Sequence, residues 1–199
     1  DTIIQLALEQ MNLRLRNEAP FSDTTGHPVD IQLCLASVDP FGNATSGITR
    51  RQNALAVHTW NQELAVKALD RWDPYLYANV WLVRTITDAG VDGYSSFPSN
   101  AGDAYDGVVM EAQYLLDNYL LTHEFGHYFG LFHTFQWGCP NDDCTMNGDA
   151  ECDTPPDYYS PSFYCMDNSC TTDLDDTTGL SPFSADVAAL PNYMDYTSC

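Results

Sequence analysis

The chain has 199 residues, of which 44% are hydrophobic, so it is long enough for one domain with a substantial core. Its formal charge of −21 is unevenly placed, because residues 85–199 contain nineteen Asp and Glu but no Lys or Arg. Such a field repels phosphate backbones and anionic lipid headgroups, which argues against nucleic acid and membrane surfaces as partners. Cationic substrates and divalent metals fit the charge better.

Hydrophobic periodicity predicts the elements of the first part of the chain. Apolar residues at helical spacing predict an amphipathic helix over residues 2–16. A strand is predicted over residues 31–38, where it is ended by a turn-forming Asp-Pro-Phe-Gly sequence. A second helix is expected from about residue 61 to residue 71.

The middle of the chain predicts three strands and a long helix. The β-branched and aromatic run over residues 77–87 favours a strand, and two short strands are expected near residues 94–97 and 107–111. A long helix is predicted over residues 111–132, with Gly130 as its left-handed stop. No stretch approaches the roughly 18–20 apolar residues of a membrane span, and no signal-like leader follows the first residue, so we expect a mature, processed chain.

The cysteines are concentrated in a loop-rich region after residue 133. Six of the seven fall within residues 139–199, which suggests disulfides, although six cysteines allow fifteen pairings. A zinc cluster of thiolates is the alternative, but the paired CxxC spacings of such sites are absent. Disulfides imply an oxidising, extracytoplasmic setting. Cys34 is expected to be a small buried hydrophobic residue without a partner.

One segment carries a metal-binding pattern. Residues 121–133 read LTHEFGHYFGLFH, which matches H-E-x-x-H-x-x-G-x-x-H at every specified position. Residues four apart share one face of a helix, so His123 and His127 can present ring nitrogens to one zinc ion. Gly130 can turn the chain away from the helix and return His133 to that ion. Three histidines leave the fourth position open, as in catalytic zinc sites.

The same pattern contains a candidate catalytic base. Glu124 follows the first histidine and points beside the metal, so we expect it to take a proton from a zinc-bound water that attacks a peptide bond. The alternative is that these histidines are ordinary core or surface residues, which the complete pattern makes improbable. His27 and His58 lie in no such pattern and are expected at the surface.

Further segments carry a family resemblance. With NYMDY at 192–196, the motif resembles the metzincin metallopeptidases, in which Met194 would lie at the methionine turn beneath the metal. GYSSFP at 93–98, DGVV at 106–109 and CDTP at 152–155 are similar to the pappalysin group, the cytophagalysin or ulilysin-like enzymes. The resemblance runs from about residue 31 to the end.

The resemblance implies an α+β fold of the metzincin-like zincin type. Its elements would be a twisted, mixed sheet with a backing helix and an active-site helix above a cleft, and an irregular, disulfide-tied lobe below it. We expect one catalytic domain over residues 1–199, with an upper lobe of about 1–133 and a lower lobe of about 134–199. By analogy, residues 93–98 would form an antiparallel edge strand that binds extended substrate through main-chain hydrogen bonds.

The resemblance also implies further site residues. Tyr196 matches a tyrosine that helps to stabilise the transition state in several metzincins, with simple packing as the alternative. The family binds calcium in the lower lobe, and oxygen donors of the right kind are available. These candidate donors are Asp142, Asp143, Asp149, Asp153 and the carbonyl of Thr154. The disulfides that the family pattern suggests are Cys139 with Cys170, Cys165 with Cys199, and Cys144 with Cys152.

Motif and resemblance together predict a secreted, calcium-stabilised zinc endopeptidase that acts on extended protein substrates. We expect a monomer that is held inactive by a pro-segment before maturation, with neither nucleic acid nor membrane as a partner. A zincin with a downstream glutamate as third ligand is one alternative, which His133 makes unnecessary. A metal-binding adhesion module without turnover is another, and Glu124 beside an open coordination position argues against it.

Overall fold

The computed structural model describes residues 1–22, 26–116, 119–138, 145–152, 154 and 192–195. The chain divides into two compact units, Asp1–Gly130 and Leu131–Cys199. Every helix and strand found in the described residues lies in the first unit. None of these helices is long and apolar enough to cross a membrane.

In its described residues, the first unit contains three α-helices and five short strands. In chain order, the elements are α1 (Thr2–Leu15), β1 (Val57–His58), α2 (Glu63–Lys67), β2 (Val80–Val83), β3 (Thr85–Ile86), β4 (Gly93–Ser95), β5 (Val108–Glu111) and α3 (Leu120–Phe129).

Strand β5 is the centre of a three-stranded mixed sheet. It pairs in parallel with β2, where Val80 lies opposite Val108, and antiparallel with β4, where Gly93 lies opposite Met110. The strand order is β2-β5-β4, so β4 lies at an edge of this sheet in the described part of the chain. Strands β1 and β3 form a separate parallel pair. Helices and mixed sheets together confirm the expected α+β fold.

The core of the first unit lies on both faces of β5. Successive strand side chains point to opposite faces, so Val109 faces one way and Val108 and Met110 face the other. Val109 packs in a cluster with Val66, Val83, Ile86 and Tyr94. On the other face, Val108 packs with Met11 of α1 and Phe125 of α3. Each such burial stabilises the fold by about 1.5–3 kcal/mol, and the contact between Val108 and Phe125 ties α3 to the sheet.

The strand predicted over residues 31–38 does not form, so that prediction is wrong. Apart from an isolated bridge between Val38 and Ala44, this backbone joins no ladder. Instead, the side chain of Asn12 on α1 donates to the Leu33 carbonyl at 2.8 Å and accepts from the Leu33 amide at 2.9 Å. One side-chain amide thus satisfies the two backbone groups that a neighbouring strand would have bonded.

The other predicted elements form with different boundaries. Helix α1 and strands β4 and β5 confirm the predictions for residues 2–16, 94–97 and 107–111 to within two residues at each end. Helix α2 is shorter than the predicted 61–71. The predicted strand over 77–87 is divided into β2 and β3, between which the Arg84 amide donates to the Ala56 carbonyl at 2.8 Å.

The long helix predicted from residue 111 begins only at Leu120. Glu111 belongs to β5, and its Oε1 accepts a hydrogen bond from the Ile86 amide at 2.6 Å. The strand and its neighbour therefore hold Glu111 in extended conformation, which local helix propensity does not overcome.

The described residues of the second unit form turns without a helix or strand, as its composition predicts. The Trp137 amide donates to the Gly148 carbonyl at 3.1 Å, and the Thr134 amide donates to the Met194 carbonyl at 3.4 Å. The rings of Phe132 and Trp137 pack edge to face, with centroids 4.5 Å apart.

The cysteine predictions are only partly within the described residues. Cys152 takes part in a disulfide bond. The predicted partners at other positions lie outside the described residues, namely Cys139, Cys144, Cys165, Cys170 and Cys199. Cys34 is unpaired, as expected, but it is exposed rather than buried, because the strand that would have enclosed it does not form.

Candidate active site

Helix α3 carries the metal-binding pattern through the core. Its residues 122–127 are all buried, because α3 packs against α1, β4 and β5. The helix ends at Gly130, whose φ of 107° lies in the left-handed region. The Gly130 amide still donates to the His127 carbonyl at 2.9 Å, which completes the last turn. This confirms the predicted glycine stop.

The first two histidines lie one turn apart on α3. His123 is 4% exposed and His127 is 8% exposed. Their ring centroids are 4.7 Å apart with an interplanar angle of 83°. The Phe97 ring lies 5.3 Å from that of His127, which limits the space in which this imidazole can turn. Two buried imidazoles at this spacing are suited to sharing one metal ion.

His133 follows the glycine stop by three residues and is half-buried. Its ring stacks on Phe135 at 4.7 Å, and its Nδ1 lies 3.3 Å from Oε1 of Gln136. One ligand atom from each of His123, His127 and His133 lies within 4.8 Å of the other two. The three histidines of the motif therefore cluster as a metal site requires, and the contacts of His133 orient its ring as outer partners of metal ligands do.

Glu124 lies on α3 beside this cluster and is 3% exposed. Its Oε2 is buried and has no hydrogen-bond partner among the described residues. Burial raises the pKa of Glu124 to about 8, and the charge of Lys67 opposes this increase. A divalent cation nearby favours the carboxylate form and lowers this pKa. The unsatisfied oxygen and the adjacent imidazoles thus fit a site that takes a cation and a water molecule.

Lys67 is a buried charge near Glu124 that sequence reasoning missed. Its side chain is fully enclosed, and Nζ lies 2.7 Å from Oε1 of Glu63 and donates to the Tyr105 carbonyl at 2.6 Å. Burial lowers the pKa of Lys67, while Glu63 opposes this decrease. Glu63 and Lys67 are four residues apart in the sequence. On a short helix, this spacing indicates an ion pair at the surface rather than a buried one.

His58 is buried, so its predicted surface position is wrong. It is 2% exposed, and its Nε2 lies 3.0 Å from the hydroxyl of Tyr94 on β4. Burial lowers the pKa of His58, which favours the neutral ring. His58 belongs to β1, which pairs with β3, and no local sequence pattern predicts this pairing. His27 is exposed, as expected.

Three of the remaining predicted residues lie in the described part of the second unit. Met194 is 4% exposed, and its amide donates to Oδ1 of Asn192 at 2.9 Å, which agrees with a methionine turn. Asp149 is 7% exposed, and its Oδ1 accepts from the Glu151 amide at 3.0 Å. Thr154 donates its amide to the Glu151 carbonyl at 3.3 Å. The others lie outside the described residues: Asp142, Asp143, Asp153 and Tyr196.

A helix with His-Glu-x-x-His against a mixed sheet with an antiparallel edge strand defines a metallopeptidase of the zincin class, and the turn at Met194 is typical of metzincins. The chain belongs to the pappalysin family: the model of peptidase family M43, described as pregnancy-associated plasma protein-A, matches residues 61–199. The family resemblance found in the sequence is confirmed.

Relatives and solved structures agree with this assignment. An extracellular metalloprotease of Sordaria macrospora is 32% identical over 199 residues, covering 92% of this chain and 59% of that protein. Mature mirolysin of Tannerella forsythia in complex with a cleaved peptide matches with a TM-score of 0.68 and 26% identity, over 99% of this chain and 77% of that chain. A promirolysin variant of the same organism matches with a TM-score of 0.67 and 26% identity, over 99% and 67%.

The chain spans about half the length of the curated relatives it matches.

Proposed function

We propose that the chain is the catalytic domain of a secreted zinc endopeptidase that cuts protein substrates in extended conformation. The observation that carries this proposal is the cluster of His123, His127 and His133, whose ligand atoms lie within 4.8 Å of one another beside buried Glu124. Membership of a peptidase family supports it.

Zinc would be held by the three imidazoles. Neutral histidine nitrogens suit zinc, and three protein ligands leave a position for water or substrate. When bound there, zinc acts as a Lewis acid and lowers the pKa of a water molecule.

Glu124 would perform the proton transfers. It is one residue from the first ligand and its buried Oε2 has no partner among the described residues, so it can accept a proton from the attacking water. It then returns that proton to the nitrogen of the leaving peptide, which departs as a neutral amine. The surroundings of Glu124 exclude bulk water, and this strengthens its electrostatic interaction with the site.

Strand β4 would bind the substrate backbone. It pairs with β5 on one side, and within the described residues no strand pairs with its other side, where an extended peptide could add. An extended peptide that adds to this edge gains main-chain hydrogen bonds without regard to its sequence. Mature mirolysin, to which this chain is similar, has been solved in complex with a cleaved peptide, which supports a peptide substrate for the present chain.

The remaining features of the proposal rest on the relatives and on the motif. Secretion is supported by relatives named extracellular metalloproteases, and a pro-segment by the existence of promirolysin. Met194 as the base beneath the metal, Tyr196 as a group that stabilises the transition state, structural calcium at the acidic residues of the second unit, and a monomeric state complete the proposal.

Replacement of Glu124 tests the proposed base. Glu124→Gln retains the size of the side chain but removes the proton acceptor, so we expect hydrolysis of fluorogenic peptides to fall by about 10²–10⁴-fold. Zinc content, measured by plasma mass spectrometry on the full-length protein, should remain one per chain. Glu9→Gln is the matched control, because Glu9 is exposed on α1. Undiminished cleavage by Glu124→Gln would refute the mechanism.

A chelator tests the metal. Removing zinc should abolish cleavage, and adding zinc back should restore it, since the proposed Lewis acid is lost and regained. Cleavage that survives complete removal of the metal would contradict the proposal.

A further inference from the structure

Strand β4 approaches Glu124 most closely at Gly93. A Cβ atom built on Gly93 would lie 2.8 Å from Oε1 of Glu124 and 3.2 Å from both its Cγ and its Cδ. Contacts under 3.0 Å are essentially never made by real Cβ atoms, so one partner would have to move. The Glu124 side chain therefore occupies space that exists because residue 93 has no side chain.

The backbone at this position does not itself require glycine. Gly90 and Gly107 have φ values of 77° and 121°, whereas Gly93 is not among the residues with positive φ. Glycine within a strand loses more entropy on folding than other residues and packs less surface. A strand glycine with ordinary backbone angles thus indicates close approach of another group, and here that group is Glu124.

The backbones of β4 and α3 are both held in place, so neither can move away from a side chain added at residue 93. Gly93 lies opposite the fully buried Met110 in the antiparallel ladder, and the neighbouring Asp92 carbonyl accepts from the Glu111 amide at 2.9 Å. On the other side, α3 is held by Phe125, which packs against Val108. The part that can move is the Glu124 side chain, through rotation about its own bonds.

We propose that Gly93 is a positioning residue for the catalytic glutamate: the bare backbone of β4 sets where the Glu124 carboxylate lies beside the three histidines. This inference rests on the proposed role of Glu124 as the base. Because β4 is also the proposed substrate strand, one strand would place both the substrate backbone and the group that activates water.

The variant Gly93→Ala measures this contact. To bring the 2.8 Å approach to an ordinary contact of 3.4 Å, the carboxylate must shift by at least 0.6 Å, from 3.4 − 2.8. Misplacement of a catalytic group by about 1 Å costs on the order of 10²-fold in rate, so we expect kcat to fall about 10- to 100-fold. KM should change little, because Gly93→Ala leaves the main-chain hydrogen-bonding groups of β4 in place, and zinc content should change little, because Glu124 is not among the proposed zinc ligands.

A double-mutant cycle separates positioning from general damage to the strand. Glu124→Asp shortens the side chain by one methylene, which withdraws the carboxylate from residue 93. In that background, Gly93→Ala should reduce kcat by less than about 3-fold, since the steric conflict is relieved. An equal reduction in both backgrounds would show that the substitution damages the strand and would overturn the inference.

Thermal unfolding of the metal-free protein supplies a readout independent of activity. Gly93→Ala should lower Tm in the native background but by less in the Glu124→Ala background, where the atoms it meets have been removed. If Gly93→Ala fails to fold alone, it should fold when combined with Glu124→Ala. Failure of both, or equal Tm decreases in both backgrounds, contradicts the proposal.

The two proposals fail in different ways. If Glu124→Gln retains activity, the proposed function is wrong. If Glu124→Gln is inactive but Gly93→Ala has full kcat, the function stands and the positioning role of Gly93 is wrong.

Discussion

The two hydrogen bonds between Asn12 and Leu33 make a quantitative prediction about the first unit. Asn12 is 7% exposed, and it bonds both the amide and the carbonyl of half-buried Leu33. Each bond contributes about 0.5–1.5 kcal/mol, and a buried group left without a partner costs about 1–3 kcal/mol. Since water reaches part of Leu33, we expect Asn12→Ala to reduce the free energy of unfolding by about 2–3 kcal/mol.

Urea unfolding and hydrogen exchange check this value. The urea midpoint should fall without a change in the m-value, and the Leu33 amide should lose protection from exchange. Gln5→Ala is the matched control, because Gln5 is exposed on the same helix and its replacement should change stability by less than about 0.5 kcal/mol. Unchanged protection of Leu33 in Asn12→Ala would refute the assignment of its backbone partners to Asn12.

Two other predictions concern the helix stop and a buried ring. Gly130→Ala should lower Tm, because a side chain at φ 107° costs about 1–2 kcal/mol although its Cβ would come no closer than 3.4 Å to Pro98; an unchanged Tm would contradict this. Burial lowers the pKa of His58, so the unfolded chain takes up the proton first and stability should be lost as pH falls below about 6.5, with Asp88 and Glu111 opposing the effect. His58→Gln should lack this loss of stability at low pH. If the free energies of unfolding of the two proteins changed in parallel between about pH 5 and 8, the contribution of His58 would be excluded.

Sequence patterns predicted most accurately the structural features that depend on neighbouring residues in the chain. Helix α1, the stop at Gly130 and the one-turn spacing of His123 and His127 depend on residues close in sequence, and each was found as predicted. The strand at residues 31–38 had the composition of a strand but lacks a neighbouring strand. Its backbone bonds to Asn12 instead, twenty-one residues away.

Burial of polar groups was the main failure of sequence reasoning. His58 and Lys67 carry residue types that are usually exposed, yet they are 2% and 0% exposed. Lys67 is buried because Glu63 and the Tyr105 carbonyl offset the loss of water, and His58 because Tyr94 provides a partner. Glu63 is close to Lys67 in sequence, but Tyr105 and Tyr94 are thirty-eight and thirty-six residues away from the side chains they contact, so no short window of sequence contains the whole signal.

The sequence by itself identified the candidate metal site of this protein: two histidines and a glutamate at helical spacing, a glycine where the helix must end, and a third histidine beyond it. That is possible because α-helical geometry relates residues three and four apart without help from the rest of the chain. Only the tertiary structure decided that Gly93 of β4 lies against Glu124. Contacts between a strand and a helix depend on how separate elements pack, and packing is set by the whole core.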